Sequence, residues 1–505
     1  MELQFPSISV LFAFLLFIFM VFKIVKRSKA KNFAQKLPPG PWQLPLIGNM
    51  HQLVGSLTHH TLRDLAKKYG PLMHLRLGEV STVIVSSPEI AKEVMKTHDI
   101  IFAQRPYLLA SRILSYDSTN IAFSPYGDYW RQLRKICAIE ILSSKRVQTF
   151  RSIREEEAFN LIRSIYSNAR SPINLSKKIF ALTCGITARA AFGEKNKDQE
   201  AFRSIVEKSI KLSAGFNIAD MYPSVKMLSV ISGMRPKLEE IHKRIDQILE
   251  NIVSDHRQRD KKTKTGNKEV EDLVDVLLKI QKQGDLEFPD NNLKSVLLDI
   301  YGAGSETSSI TVEWAMSEML KNQKVMKRAQ DEVREVFGEK GNVDETGLHE
   351  LKFLKSVIKE TLRLHPSAPL LVPRESSAHC EINGYEIPAK TKVIVNAWAI
   401  GRDPRYWTEP ERFQPERFLN SPIDFKGTDF EYIPFGAGRR ICPGITYALA
   451  NIELPLAQFL YHFDWKLPGG LKQEELDMTE AFGVTVRRKQ DLYLIPFPYN
   501  PSPVK

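Results

Sequence analysis

A mainly α-helical domain with a small β-rich region, tethered by one N-terminal transmembrane helix, is the fold class this sequence predicts. Three observations carry that prediction. Long stretches keep a helical apolar pattern, the longest running over residues 291–321. Strand signals are few, short and bounded by turn residues. A nearly unbroken apolar run from Ile8 to Val25 approaches the ~20 residues that span a bilayer as a helix.

Taken in order, residues 1–30 read as a membrane anchor with its basic flank. Lys23, Lys26, Arg27, Lys29, Lys31 and Lys36 follow the apolar run, with only Glu2 opposing them. That asymmetry keeps the bulk of the chain on the cytoplasmic side. A cleaved signal peptide is disfavoured, since no basic segment precedes the run and no small-residue cleavage site follows it. Residues 31–50 contain Leu37-Pro38-Pro39-Gly40-Pro41-Trp42, then Pro45 and Gly48, and read as a stiff proline-rich hinge. Residues 51–505 form the main domain. Within it Leu72 to Val85 reads as a hairpin turning at Gly78-Glu79, and Ser87-Pro88 caps a helix. Glu381 to Ile387 is a second hairpin with Asn383-Gly384 at its turn, and Lys392 to Val395 supplies another strand. Residues 151–166, 236–256, 271–283 and 325–336 read as helices, and the charged stretch 261–268 as a solvated loop.

Composition narrows the function. The chain has 505 residues, 43% hydrophobic and 26% charged, which suits a large globular core rather than a polytopic membrane protein. Its four cysteines (Cys137, Cys184, Cys380, Cys442) show neither CxxC nor paired spacing, excluding a disulfide framework and a zinc site by pattern. The net charge of +12 comes without an arginine-rich arm or an aromatic-interleaved basic stripe, so no nucleic acid is expected. A membrane surface or an acidic protein partner explains it more simply.

The chemistry centres on Phe435-Gly436-Ala437-Gly438-Arg439-Arg440-Ile441-Cys442-Pro443-Gly444. Gly436, Gly438 and Gly444 let backbone turn closely around the Cys442 sulfur. The apolar run from Ile445 to Leu460 reads as a buried helix whose N-terminus would favour a thiolate. A phosphate-binding turn is excluded because Ile441 occupies the place of a third glycine. A merely buried cysteine is the bland alternative. The ten residues together resemble the signature of the cytochrome P450 family of haem-thiolate monooxygenases.

Further segments fit that resemblance. Trp130 and Arg134, four apart, could face a haem propionate or lie on a plain surface helix; the family pattern Tyr126-Gly127-Asp128-Tyr129-Trp130 points to the haem, with Arg131 and Lys135 outward towards an acidic redox partner. Gly302-Ala303-Gly304-Ser305-Glu306-Thr307 interrupts a long helix with two glycines, which invites close approach of a flat cofactor or a local opening of the hydrogen-bond ladder. Thr307 and Glu306 could relay protons, and a back-bonding threonine at a bend is the alternative. Glu360 and Arg363, joined by Arg417, match the family's buried triad. Arg374 and Arg105 would add propionate cations.

The resemblance covers the chain from anchor to tail and is nearest to plant microsomal terpenoid- and alkaloid-hydroxylating enzymes, particularly sesquiterpene oxidases. It implies haem b under the Cys442 thiolate, which favours O–O cleavage. It implies electrons from NADPH through a separate flavin-containing cytochrome P450 reductase, cytochrome b5 as a candidate second donor, and a single-pass location in the endoplasmic reticulum membrane. By the same resemblance four segments cover the substrate: residues 107–123 with Leu108, Ile113, Leu114 and Ile121; residues 298–303 with Leu298, Tyr301 and Ala303; residues 368–372 with Leu370, Leu371 and Val372; and residues 481–485 with Phe482 and Val484. That wall is apolar and almost free of fixed charge, suiting an oxygen-poor terpenoid, with an alkaloid as the alternative. Two other classes remain: a peroxide-rearranging haem-thiolate enzyme, against which the intact Gly304-Ser305-Glu306-Thr307 argues, and a non-catalytic membrane haem binder.

Overall fold

The computed structural model describes residues 36–193, 199–213, 217–262, 271–284, 287–338 and 340–499. The anchor segment and most of the stretch 261–268 lie outside the described residues. Among the described residues no helix is long and apolar enough to cross a membrane.

The strands are β1 (Leu72–Leu77), β2 (Val80–Val85), β3 (Ile173–Asn174), β4 (Arg374–Glu375), β5 (Cys380–Ile382), β6 (Tyr385–Ile387), β7 (Lys392–Val395), β8 (Phe463–Lys466) and β9 (Tyr493–Pro498). They form three small sheets ordered β1-β2-β7-β4, β3-β9-β8 and β5-β6. Both expected hairpins are antiparallel, and β2 pairs in parallel with β7, Val83 opposite Val393. The β5–β6 turn needs Asn383 and Gly384 at φ 50° and 76°, where asparagine and glycine are the tolerated residues.

Helices make up most of the rest. The principal ones are α1 (Asp128–Ile136), α2 (Arg151–Tyr166), α3 (Leu175–Phe192), α4 (Gln199–Ser213), α5 (Met234–Lys262), α6 (Leu273–Gln283), α7 (Asp290–Lys321), α8 (Gln323–Phe337), α9 (Lys352–Leu364) and α10 (Ile445–His462). α5 runs past the expected end at His256 and takes in Lys261 and Lys262, which are therefore helical rather than loop. Ser87 caps the next short helix by accepting from the Ile90 amide, as its sequence demands. The largest apolar cluster joins α2, α7, α8, α9 and α10, and a second joins α3, α5, α6 and the first half of α7. α7 thus passes through the middle of the molecule.

The proline-rich stretch is not a free spacer where it is described. The His74 amide donates to the Pro39 carbonyl (2.9 Å), and the Glu386 amide to the Lys36 carbonyl (2.9 Å). The Asn49 side chain donates to the Pro41 and Trp42 carbonyls. Residues 36–49 are laid against β1 and β6.

Candidate active site

The cysteine loop is built first by backbone. The Cys442 amide donates to the Phe435 carbonyl (3.0 Å), closing a turn with Gly436 and Gly438 at φ 72° and 69°. A Cβ on Gly438 would lie 2.0 Å from the Met95 carbonyl oxygen, so only glycine fits there. The Gly444 amide points at Cys442 Sγ (3.4 Å) just before α10 begins. Burial raises the Cys442 thiol pKa, and that amide and nearby Arg134 oppose the rise. Of the four cysteines, Cys442 alone borders a cavity of about 270 Å³ between the loop, α1, α7 and the residues 367–374.

Four guanidinium groups line that cavity: Arg105, Arg134, Arg374 and Arg440. Arg440 donates to the Ala103 (2.8 Å) and Ser124 (2.6 Å) carbonyls and lies 4.2 Å over the Trp130 ring. Trp130 donates its indole N–H to the Ile121 carbonyl (3.0 Å). Arg105 holds the carbonyls of Ala122, Val372 and Pro373. Arg374 bonds Asp99 Oδ1 (3.1 Å) and the Ala437 carbonyl (2.8 Å). The Arg134 guanidinium has no hydrogen bond or ion pair among the described residues. Burial, then repulsion by Arg374 and Arg134, pulls the Arg440 pKa down to about 9. Among the described residues, Asp99 and Asp299 are the only carboxylates seen against these four cations. The surplus positive charge is what a planar group with two carboxylates, as in haem b, would neutralise. Arg131 and Lys135 on α1 are exposed.

Two of these residues escaped sequence reasoning. Asp99 is 8% exposed and accepts from the Arg439 amide (2.8 Å), pinning the cysteine loop to the segment after β2. Nothing local in the sequence marks it. Asp299 on α7 accepts from the Ala122 amide (3.0 Å), and burial raises its pKa to about 6. A lone acid inside the apolar run 296–303 was the available signal. With Arg105, it corrects the expectation of a wall almost free of charge.

α7 is continuous helix from Asp290 to Lys321, so of the two reasons offered for its glycine pair the local opening of the ladder is not seen. Thr307 borders the cavity and donates its hydroxyl to the Ala303 carbonyl (2.7 Å). Glu306 does not border the cavity. Its carboxyl bonds Thr485, and burial raises its pKa. Gly304 has its reason in packing, since a Cβ would stand 3.2 Å from the Tyr447 ring; a Cβ on Gly302 would meet nothing closer than 3.8 Å.

The triad assembles as drawn. Arg363 makes two bonds to Glu360 (2.7 and 2.8 Å), and Arg417 adds a third (3.0 Å). Of the expected substrate residues, Ile121, Ala303, Leu371 and Val372 line the cavity. Leu371 sits at φ 52°, a rare conformation for leucine, and the turn leaves Leu370 against the β1–β2 core instead. Ile113 and Leu114 pack with Leu238, Leu298 joins the cluster of α3 and α6, and Tyr301 stacks between Phe192 and Phe202. Leu108 only precedes the short helix Leu109–Leu114, and Phe482 and Val484 are surface residues, 57% and 48% exposed. None of these eight borders the cavity.

A thiol just ahead of a helix N-terminus, bordering a cavity lined by four arginines and an apolar wall, is the arrangement of a haem-thiolate oxygenase. The chain belongs to the cytochrome P450 family, whose model matches residues 38–495. It is 59% identical over 503 residues to tabersonine 16-hydroxylase 2 of Catharanthus roseus, covering 98% of each chain. It is 53% identical to premnaspirodiene oxygenase of Hyoscyamus muticus, covering 99% of this chain and all of that one. A zebrafish cytochrome P450 solved with progesterone has the same fold, with TM-score 0.75, 24% identity and 87% and 99% coverage. The protein is therefore a monooxygenase that carries haem on a cysteine thiolate and takes its electrons from a separate reductase.

Proposed function

We propose that this enzyme hydroxylates a small apolar terpenoid of plant specialised metabolism, sesquiterpene or diterpene in size. The carrying observation is the wall formed by Ile121, Ile300, Ala303, Ala368, Leu371 and Val372. Premnaspirodiene oxygenase supports the reading by its name. A second reading, an alkaloid hydroxylase, is favoured by Asp299, whose carboxyl could meet a protonated amine, and by the tabersonine hydroxylase likeness. Co-expression with a plant reductase in terpene-producing yeast decides between them. Oxidised terpenes are expected; oxidation only of an added basic alkaloid would overturn the terpenoid reading.

In this reading haem bound at Cys442 supplies the activation of dioxygen and the oxidation of a C–H bond. Phe435, Gly436, Gly438 and Gly444 shape the loop that excludes water from the sulfur. Arg134, Arg105, Arg374 and Arg440 would hold the two propionates, whereas Trp130, whose only N–H is given to the Ile121 carbonyl, would support the Arg440 guanidinium stacked on its ring instead of binding a propionate itself. Thr307 borders the cavity and gives its own proton to Ala303, so its hydroxyl oxygen is left to accept a hydrogen bond in proton delivery. Glu306, kept protonated to higher pH by burial, passes protons along the outer face of α7. Arg131 and Lys135 present cations to the NADPH–cytochrome P450 reductase, and cytochrome b5 uses the same surface. Residues 1–30 anchor the chain in the endoplasmic reticulum membrane, residues 31–50 link it, and 51–505 work on the cytoplasmic face. Loss of carbonate-resistant membrane binding on deleting residues 1–30 is the expected result; unchanged binding would refute the anchor.

A further inference from the structure

Two adjacent histidines and one distant carboxylate meet outside the cavity. His59 and His60 lie in the first turn of the helix Thr58–Tyr69. Glu480 stands 420 residues beyond His60, in the loop 479–489 near the end of the chain. The Nε2 atom of each ring lies 2.8 Å from the same oxygen, Glu480 Oε2. One ligand atom from each of the three residues lies within 4.8 Å of the other two. None of the three residues borders the cavity.

Each group is held in place by its neighbours. Trp398 stacks on the His60 ring (4.1 Å) and meets the His59 ring edge-on (5.0 Å). The Asn396 side chain donates to the His59 carbonyl (2.8 Å). On the other side, the Ala481 amide donates to the Arg487 carbonyl and the Lys489 amide to the Thr479 carbonyl, each at 2.8 Å, so the loop closes on itself around Glu480. The His59 and Glu480 side chains are 4% and 9% exposed, whereas His60 is 38% exposed and opens the cluster to solvent. Arg402 is a cation nearby, but its Nε is paired with Glu411 (3.0 Å). Two imidazoles and a carboxylate are the donor set that suits zinc, while calcium and magnesium prefer oxygen alone. Tetrahedral zinc holds such donors about 3.4 Å apart, so the cluster has only to widen by about half an ångström. Glu480 sits in a loop, where such a shift is easily made.

We propose that His59, His60 and Glu480 form a zinc site that fastens the helix Thr58–Tyr69 to the loop 479–489. The cysteine pattern excluded a thiolate site; this one uses nitrogen and oxygen, and its parts are too far apart in sequence to form a local motif. A carboxylate only accepts, so without the ion each Nε2 carries a proton. The ion takes the place of both, each ring carries its proton on Nδ1 instead, and water from the His60 side fills the fourth position. No redox or bond-breaking step belongs to this site. Its effect is mechanical. The same loop reaches α7, where Thr485 bonds the Glu306 carboxyl and the Trp314 indole donates to the Val486 carbonyl (3.1 Å). Fixing Glu480 therefore fixes the loop across the outer face of α7. The site stands whether or not the substrate is a terpenoid.

The test measures metal rather than turnover. Untagged full-length enzyme carrying its haem is dialysed against buffered micromolar zinc, and zinc and iron are counted by mass spectrometry. One zinc per haem iron is expected. His60→Gln and Glu480→Gln should each weaken zinc binding at least about tenfold. His349→Gln, at an exposed histidine elsewhere, should bind zinc as the wild type does. Zinc should also slow hydrogen exchange at residues 58–61 and 479–489 in the wild type and not in His60→Gln. The carbon monoxide spectrum reports whether each variant is folded. If Glu480→Gln is not, His60→Gln at its solvent-facing position decides. A wild type that binds no zinc overturns the proposal. Equal zinc in the wild type and His60→Gln also overturns it, because the ion would then sit elsewhere, as beside His256 and Asp272.

Discussion

Replacing Gly438 by alanine should expel most of the haem. Gly438 sits at φ 69°, where an L side chain costs about 1–2 kcal/mol. Its new Cβ would stand 2.0 Å from the Met95 carbonyl oxygen and 2.9 Å from Asp99 Oδ2. Neither obstacle is the free end of a flexible chain: one is backbone, and the other is fixed by the Arg439 amide and Arg374. Relieving such overpacking adds about 1–3 kcal/mol. Together roughly 2–5 kcal/mol falls on the loop that presents Cys442. The assay is the carbon monoxide difference spectrum of the reduced enzyme per mole of protein, beside the thermal midpoint. Gly444→Ala is the control. Gly444 has φ −96°, and its Cβ would meet nothing nearer than Cys442 Sγ at 3.9 Å. It should keep its haem. Full haem in Gly438→Ala, or equal loss in both variants, would refute the reasoning.

Thr307→Ala should divert reducing equivalents from product to peroxide, measured as product per NADPH; unchanged coupling would remove Thr307 from proton delivery. Glu360→Gln leaves Arg363 and Arg417 without their shared buried counter-charge and should cost about 3–5 kcal/mol in denaturant unfolding, far more than Arg417→Leu at the rim. Burial pushes the Glu453 carboxyl up to about 7, above its unfolded value. A raised acid is favoured protonated in the folded state, so stability falls as pH rises from about 4.5 to 7 and then levels. Glu453→Gln should flatten that slope, a change on the order of 3 kcal/mol read from thermal midpoints across the window.

Local chemistry made much of the fold legible. The alternation in β1 and β2, the Asn-Gly turn and the Ser-Pro cap each specify their structure within a few residues. β9 was hidden because Pro496 and Pro498 argue against a strand. It survives as the middle strand because β3 pairs only with Tyr493 and Leu494, and beyond them the proline positions need give no N–H: the Pro496 carbonyl accepts from the Arg170 amide (2.8 Å). The arginines around the cavity were legible as types in a pattern. Side-chain direction was not: Thr307 and Glu306 are neighbours in sequence, yet the helix turns one to the cavity and the other to Thr485. Leu370 and Leu371 part in the same way, through a left-handed turn that no apolar pattern announces.

Two buried acids organise the cavity more than its cations do. An arginine can find a carbonyl almost anywhere, and Arg105 and Arg440 each hold carbonyls from segments far apart in sequence. A carboxylate accepts only, and backbone donors free of helix and sheet are scarce. Asp99 takes the Arg439 amide and Arg374 together, so the cysteine loop, the segment after β2 and β4 share one tie. Asp299 takes the Ala122 amide, while the carbonyls of Ile121, Ala122 and Ser124 receive Trp130, Arg105 and Arg440. The stretch 121–124 is therefore held to α7 by its donor side and to the cation ring by its acceptor side. Moving α7 moves the ring, which links the substrate-facing helix to the groups proposed to hold the propionates.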